Sequence, residues 1–193
     1  GPIPACRSAL AIYRAFQKDS QQSDSLLAGF SIGIGIAHGR ALAGQIGTNQ
    51  HSKIGVFGPV VNQGSRLEGL TRQFGVPICI DENTANSTLR FLPPTEGRLR
   101  RLARVRPIGM ETAITVFALL PPLEEYPEVT EDMIFDHEFA VTAVIKGDWP
   151  LAMEILERIP DDDGPKRFLL EKIRHYDHCP PPDWDGAFTL TSK

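Results

Sequence analysis

The chain has 193 residues, of which 41% are hydrophobic and 23% charged, and a formal net charge of −4. That is the make-up of a soluble globular protein, and no stretch nears the ~18 consecutive apolar residues of a membrane span, so no membrane contact by this chain is expected. Gly1-Pro2-Ile3-Pro4 lacks the basic start and apolar core of a secretory leader, and Cys6, Cys79 and Cys179 are too few and too scattered for a disulfide framework, so reduced thiols and a cytoplasmic location are expected.

The net charge hides an asymmetry. Residues 1–120 hold 13 Lys/Arg against 7 Asp/Glu, whereas residues 121–193 hold 7 against 17. Opposite signs on consecutive segments suggest two units that can attract each other over the ~8–10 Å that salt allows.

Residues 5–18 carry Ala9, Leu10, Ile12, Tyr13 and Phe16 at near-helical spacing and are predicted to be a helix; residues 20–25 are a polar loop. Residues 30–37 alternate Ile32, Ile34 and Ile36 with Ser31, Gly33 and Gly35, the period of a strand with one nearly bare face. Either a backbone or a ligand comes close at that face, or the glycines serve a tight bend around Gly39. A second strand is expected over 42–46, then a polar connection over 48–52 with a solvated His51, then a strand over 53–57.

Gly58 and Pro59 mark the start of a helix, since proline at the first position gives up an N–H that would be unpaired anyway. At ~100° per residue, Val60, Gly64, Leu67, Thr71 and Phe74 share a sector, the expected core face, and Asn62, Arg66 and Gly69 lie roughly opposite. Asn62 and Arg66 are four apart and hence neighbours on the first turns of a helix whose N-terminus attracts anions. An amide and a guanidinium placed so suit a phosphorylated ligand; on spacing alone, plain solvated surface explains them as well.

Residues 76–80 form an apolar strand that Pro77 pushes toward an edge, and Asp81 can cap a short helix over 82–89. Residues 98–106 contain five arginines: Arg98, Arg100, Arg101, Arg104 and Arg106. On a strand, Arg98, Arg100, Arg104 and Arg106 would share one face. That face is either a triphosphate-binding wall or a solvated edge kept from aggregating by its charge, and the second reading suits most of them better. Nucleic acid is not an expected partner, because no aromatic residues are interleaved among the arginines. A strand over 113–120 and Pro121-Pro122 close the segment.

Residues 121–130 read as a Pro/Glu-rich linker and residues 131–176 as helices, with apolar stripes at Phe135, Phe139, Thr142, Ala143 and at Leu151, Ile155, Leu156, Ile159. Asp148 can cap the second helix. The helix, Gly-Asp-Trp turn and helix are similar to one tetratricopeptide-type hairpin, which is too little to stand alone and is expected to pack on the rest. Asp161-Asp162-Asp163 reads as a solvated loop or a cation site, and His175, His178 and Cys179 carry only a weak zinc-like spacing.

Three ordered motifs over residues 5–120 together resemble the catalytic domain of class III nucleotidyl cyclases, the adenylate and guanylate cyclases. Val60-Val61-Asn62-Gln63-Gly64-Ser65-Arg66-Leu67-Glu68 is similar to the family's V-N-x-A-[AS]-R-L-E signature. Gly33-Ile34-Gly35-Ile36-Ala37-His38-Gly39, running on to Gly44-Gln45-Ile46-Gly47, is similar to its glycine-rich hairpin. Residues 105–117, with Gly109 inside, are similar to its closing strand pair. The end, Pro180-Pro181-Pro182-Asp183-Trp184-Asp185-Gly186, resembles the tail after some bacterial cyclase domains.

The resemblance implies an α+β, ferredoxin-like nucleotidyl cyclase sandwich over residues 1–120, partial because its first strands are absent, followed by the linker and a small helical tail over 131–193. It implies ribose orientation by Asn62 and phosphate charge stabilisation by Arg66 as catalytic residues, with Gly55, Phe57, Gly58 and Arg106 on the substrate side. Gly55 falls where the family has a base-selecting side chain and can offer none; Arg106, or no residue, replaces its phosphate-binding lysine. The Mg or Mn ligands, two aspartates, lie upstream of this segment in the family, so no metal ligand is expected in this chain. The implied partners are a nucleoside triphosphate, ATP rather than GTP because bacterial members mostly use it, and a second subunit in a head-to-tail homodimer. The implied reaction forms the 3′,5′-cyclic nucleotide and pyrophosphate in signal transduction. The chain is then part of a longer cyclase whose membrane anchor, if it has one, lies elsewhere, a catalytically inactive nucleotide-binding module, or an assembly domain whose helical tail recruits a protein.

Overall fold

A computed structural model describes residues 1–22, 24–48 and 51–191, with the side chains of 46–48, 51 and 52 outside the description. The elements run α1 Pro2–Ser20, β1 Ile34–Ile36, β2 Leu42–Thr48, β3 His51–Phe57, α2 Pro59–Phe74, β4 Ile78–Asp81, α3 Glu82–Phe91, β5 Arg98–Arg106, β6 Ile114–Leu120, α4 Glu131–Lys146, α5 Trp149–Leu156, α6 Gly164–His175 and β7 Phe188–Thr189. Five strands form one mixed sheet in the order β1-β4-β6-β5-β7, and β2 and β3 form a separate antiparallel pair.

The strand expected over 30–37 shrinks to three residues. Among the described residues its ladder is with β4, parallel, from Ile34↔Ile78 to Ile36↔Ile80, and β4 itself has four residues. The glycine-bare face has a definite cause. A Cβ on Gly35 would stand 2.2 Å from the Gly64 carbonyl oxygen and 2.3 Å from the Glu68 nitrogen. The neighbour is therefore the backbone of α2, and glycine is what lets helix and strand meet so closely.

α2 begins at Pro59 behind Gly58 and ends at Gly75, whose φ of 66° is the left-handed cap that glycine supplies at no steric cost. Leu67, Leu70, Thr71 and Phe74 are buried. Val60 and Gly64, at the N-terminal end of the expected core face, are only half-buried. Asp81 caps α3, accepting from the Thr84 N–H at 2.9 Å. Of the expected connection, Thr48 belongs to β2 and His51 and Ser52 to β3: the two strands pair from Leu42↔Phe57 to Thr48↔His51. His51 thus lies in β3, and the solvation expected for its side chain falls outside the described residues.

The arginine strand corrects both readings of 98–106. β5 is flanked by β6 and, at its C-terminal end, by β7, which runs parallel to it through Val105↔Phe188 and Arg106↔Thr189. A register shift between Arg101 and Ala103 moves Arg104 and Arg106 out of phase with Arg98 and Arg100, so the four do not share a face. Every one of the five bonds to the acidic C-terminal part. Arg98, 7% exposed, donates to the carbonyls of Pro121, Tyr126 and Val129 and pairs with Glu131. Arg100 pairs with Asp163, Arg101 donates to the Glu138 carbonyl and Thr142 Oγ1, Arg104 to the Asp185 carbonyl, and Arg106 to the Asp185 carboxylate. The buried Arg98 guanidinium in particular satisfies the carbonyls of Pro121 and Val129 in the 121–130 stretch.

The tail shares one core with the sheet, running from Leu67, Leu70 and Phe74 of α2 through Val105 and Val116 to Trp149, Phe168 and Phe188. Asp148 caps α5, accepting from the Leu151 N–H at 3.2 Å. A Cβ on Gly164 would lie 2.2 Å from the Phe74 carbonyl oxygen, so the start of α6 sits directly on the end of α2. Trp149, fully buried, meets Tyr176, Trp184 and Phe188 at ring separations of 5.2–5.9 Å. One acid of the loop turns inward, Asp163, which faces Arg100 and caps α6, whereas Asp161 and Asp162 stand in solvent, Asp161 pairing with Lys166 Nζ at 2.7 Å. His178 Nδ1 lies 3.3 Å from Met153 Sδ, and among the described residues His175, His178 and Cys179 do not gather into a metal-ligand group.

Candidate functional site

α2 carries Asn62, Ser65, Arg66, Gly69 and Gln73 along one face, and that face forms the floor of an open groove of about 270 Å3. Pro107 and Ile108, from the turn between β5 and β6, and Leu190, just beyond β7, make the opposite wall. Asn62 is exposed and Arg66 half-buried. Among the described residues neither has a hydrogen-bond or ion-pair partner, so both side chains are available to a ligand. Arg66 is the one cation among the described residues lining the groove, and Glu68 the one acid. The helix start adds positive potential, since α2 has no side-chain cap and no acidic residue in its first turn.

Several contacts fix this face. Gln63, next to Asn62, points the other way and donates to Asp81 Oδ2 at 3.3 Å. Asp81, 2% exposed, also accepts from the backbone N–H of His38 and Thr84. One carboxylate therefore ties the first turns of α2 to β4, α3 and the segment after β1. Arg66 is backed by the 107–110 turn: Gly109 has φ +70°, and a Cβ there would stand 3.1 Å from Arg66 Nη2. The backbone angle favours glycine at that position, and a side chain there would also press on the end of the guanidinium.

Of the six residues expected at the site, the groove brings together Asn62 and Arg66. Gly55 pairs with Gly44 and Phe57 with Leu42 in the β2–β3 hairpin, and Gly58 is the N-cap of α2; none of the three lines the groove. Arg106 does not line it either. Its guanidinium is held by Asp185 at 2.5 Å, Thr189 Oγ1 at 3.1 Å and the Glu111 carbonyl at 3.0 Å, and the same ion pair holds the Asp185 carboxyl below the usual carboxylate range. The residues that this turn presents to the groove, Pro107 and Ile108, are apolar. Gln73 was legible in principle, because 62, 66, 69 and 73 follow the helical repeat; Ile108 and Leu190 are distant in sequence and carried no such signal.

The α2 face thus offers an amide and a guanidinium that has no partner among the described residues, on a mixed sheet with a separate β2–β3 hairpin. Residues 4–97 match the family model for the adenylate and guanylate cyclase catalytic domain. The chain is 34% identical over 103 residues to an adenylate cyclase of Anabaena cylindrica, covering 52% of this chain and 20% of that protein. It is 35% identical over 117 residues to adenylate cyclase 1 of Rhizobium meliloti (strain 1021), covering 60% of this chain and 17% of that one. The chain thus spans about a fifth of the length of these curated relatives. Its fold is similar to that of a bacterial light-regulated adenylyl cyclase, with a TM-score of 0.51 at 20% identity over 64% of this chain and 61% of the other. A second such structure gives a TM-score of 0.51 at 22% identity, over 61% and 33%. The α+β arrangement is the adenylyl cyclase fold, with a helical tail attached.

Proposed function

We propose that this chain contributes the Asn62/Arg66 half of a nucleotidyl cyclase site, in a protein that converts ATP, rather than GTP, to the 3′,5′-cyclic nucleotide and pyrophosphate for signal transduction. The observation that carries this reading is the Arg66 guanidinium, without a partner among the described residues, sharing one groove with Asn62. In the reaction the ribose 3′-oxygen attacks the α-phosphorus and pyrophosphate departs. Arg66 would stabilise the charge that builds on the phosphate oxygens, and Asn62 would orient the ribose. The same reading assigns the Mg or Mn ligands, two aspartates in the family, to chain outside this segment.

The same reading includes a head-to-tail homodimer with the site between subunits. The β2–β3 hairpin supports it: Leu42 is 78% and Ile54 87% exposed, with Val56 and Phe57 about half exposed, an apolar surface that water alone covers poorly. Among the described residues no helix is long and apolar enough to cross a membrane, and a cytoplasmic location, with its supply of nucleotide, belongs to the proposal.

The test is Arg66→Ala in the full-length protein, assayed for cyclic nucleotide production with Mn2+ and each of ATP and GTP. Loss of a charge-stabilising donor is expected to lower turnover ~10²–10³-fold and to change nucleotide affinity far less. Unchanged turnover would reject the role of Arg66. Nucleotide binding without turnover by the unaltered protein would instead mark a cyclase-derived binding module.

A further inference from the structure

We propose that the C-terminal segment 185–190 is a working part of the candidate site: Asp185 is a positioning residue that, through Arg106, holds the 107–110 turn against which Arg66 rests. The inference depends on the reading of Arg66 given above.

The chain of contacts is continuous. β7 lies beside the end of β5, and the Leu190 N–H donates to the Arg106 carbonyl at 3.0 Å. The Asp185 carboxylate takes Arg106 Nη2, its carbonyl takes Arg104 Nη1 at 2.8 Å, and its other oxygen accepts the Ala187 N–H at 3.2 Å. Thr189 Oγ1 takes Arg106 Nη1, and Arg106 Nε reaches across the turn to the Glu111 carbonyl at 3.0 Å. One guanidinium therefore joins both ends of the β5–β6 turn to the tail. The turn closes through Met110 N–H to the Pro107 carbonyl at 3.0 Å and sets Gly109 under Arg66. Leu190, 4% exposed, then forms part of the groove wall. A guanidinium that needs no internal partner of its own still needs a backing surface to hold one orientation, and the arm of the tail fixes that surface.

The Asp185–Arg106 pair lies at the surface, so its loss removes little stability, and Asp185→Asn is expected to fold. In the full-length protein, Asp185→Asn should lower kcat for cyclic nucleotide formation about tenfold, as a small misplacement of a catalytic group does, with KM little changed. In an Arg66→Ala background the same change should have no further effect, because the two act through one guanidinium. An equal tenfold loss in both backgrounds, or none in either, would overturn the proposal. If Arg66→Ala leaves turnover unaltered, it is the reading of the site that fails, and the positioning claim is then decided on this chain without activity. The Arg66 Nε–H resonance, assigned by its disappearance in Arg66→Lys, should move toward the free-arginine position in Asp185→Asn and in the milder Thr189→Val. A resonance that stays in place in both variants would reject the link between tail and site.

Discussion

Arg100 and Asp163 meet as a two-pronged fork, Nη1 to Oδ2 at 2.6 Å and Nη2 to Oδ1 at 2.8 Å, with side-chain exposures of only 2% and 5%. The pair joins β5 to the start of α6, where Asp163 also accepts the Lys166 N–H at 2.8 Å. Burial alone would raise the Asp163 carboxyl, but the Arg100 bonds outweigh it and hold the group below its ordinary range. Replacing one partner strands the other charge in the core. Arg100→Met and Asp163→Asn are each expected to cost about 3–5 kcal/mol in urea unfolding, and the double replacement Arg100→Met/Asp163→Leu less than the sum of its two single changes.

Acid should destabilise the fold from an unusually high pH. His137 is fully buried in α4, with Nδ1 3.0 Å from the Arg101 carbonyl, and burial, helped by the nearby Arg100 charge, pushes its pKa down to about 3. The unfolded chain binds this proton near pH 6.5 and the folded one does not, so stability is complete above ~6.5 and falls until the pH reaches about 3. Between pH 6.5 and 4 the loss attributable to this group is roughly 3 kcal/mol. His137→Gln should flatten the pH dependence of the urea midpoint in that window, whatever its cost at pH 7.

Gly35→Ala is expected to destabilise by about 3 kcal/mol, because the added methyl would meet backbone of α2, which cannot rotate aside. The reading is a lowered melting temperature. Gly44→Ala, in the hairpin with open space around it, should change the melting temperature little.

Asp81→Ala removes the α3 cap and the acceptor for the His38 N–H and the Gln63 amide at once. A loss of about 2 kcal/mol is expected. Because Gln63 adjoins Asn62, the variant should also protect the first turn of α2 less well in amide hydrogen exchange than the last turn.

Much of this protein is legible in local sequence. The start of α2 at Pro59, its end at Gly75, the caps at Asp81 and Asp148 and the Asn62/Arg66 spacing are each decided by residues within a turn of one another, where steric limits and capping bonds act. The arginine strand was not legible in that way. Whether Arg98 or Arg100 faces solvent, a phosphate or a buried carbonyl depends on what lies 20–80 residues away, and the bulge that breaks their common face is a property of the pairing with β6.

The sequence by itself determined most of the helices, their caps and the spacing that places Asn62 and Arg66 side by side, because these follow from bonds and contacts within a few residues. Only the tertiary structure decided that Ile108 and Leu190, rather than Arg106, face Arg66 across the groove. It also decided that the basic strand is neutralised by the acidic tail, since burial makes a guanidinium seek whichever carboxylate or carbonyl the fold brings within reach.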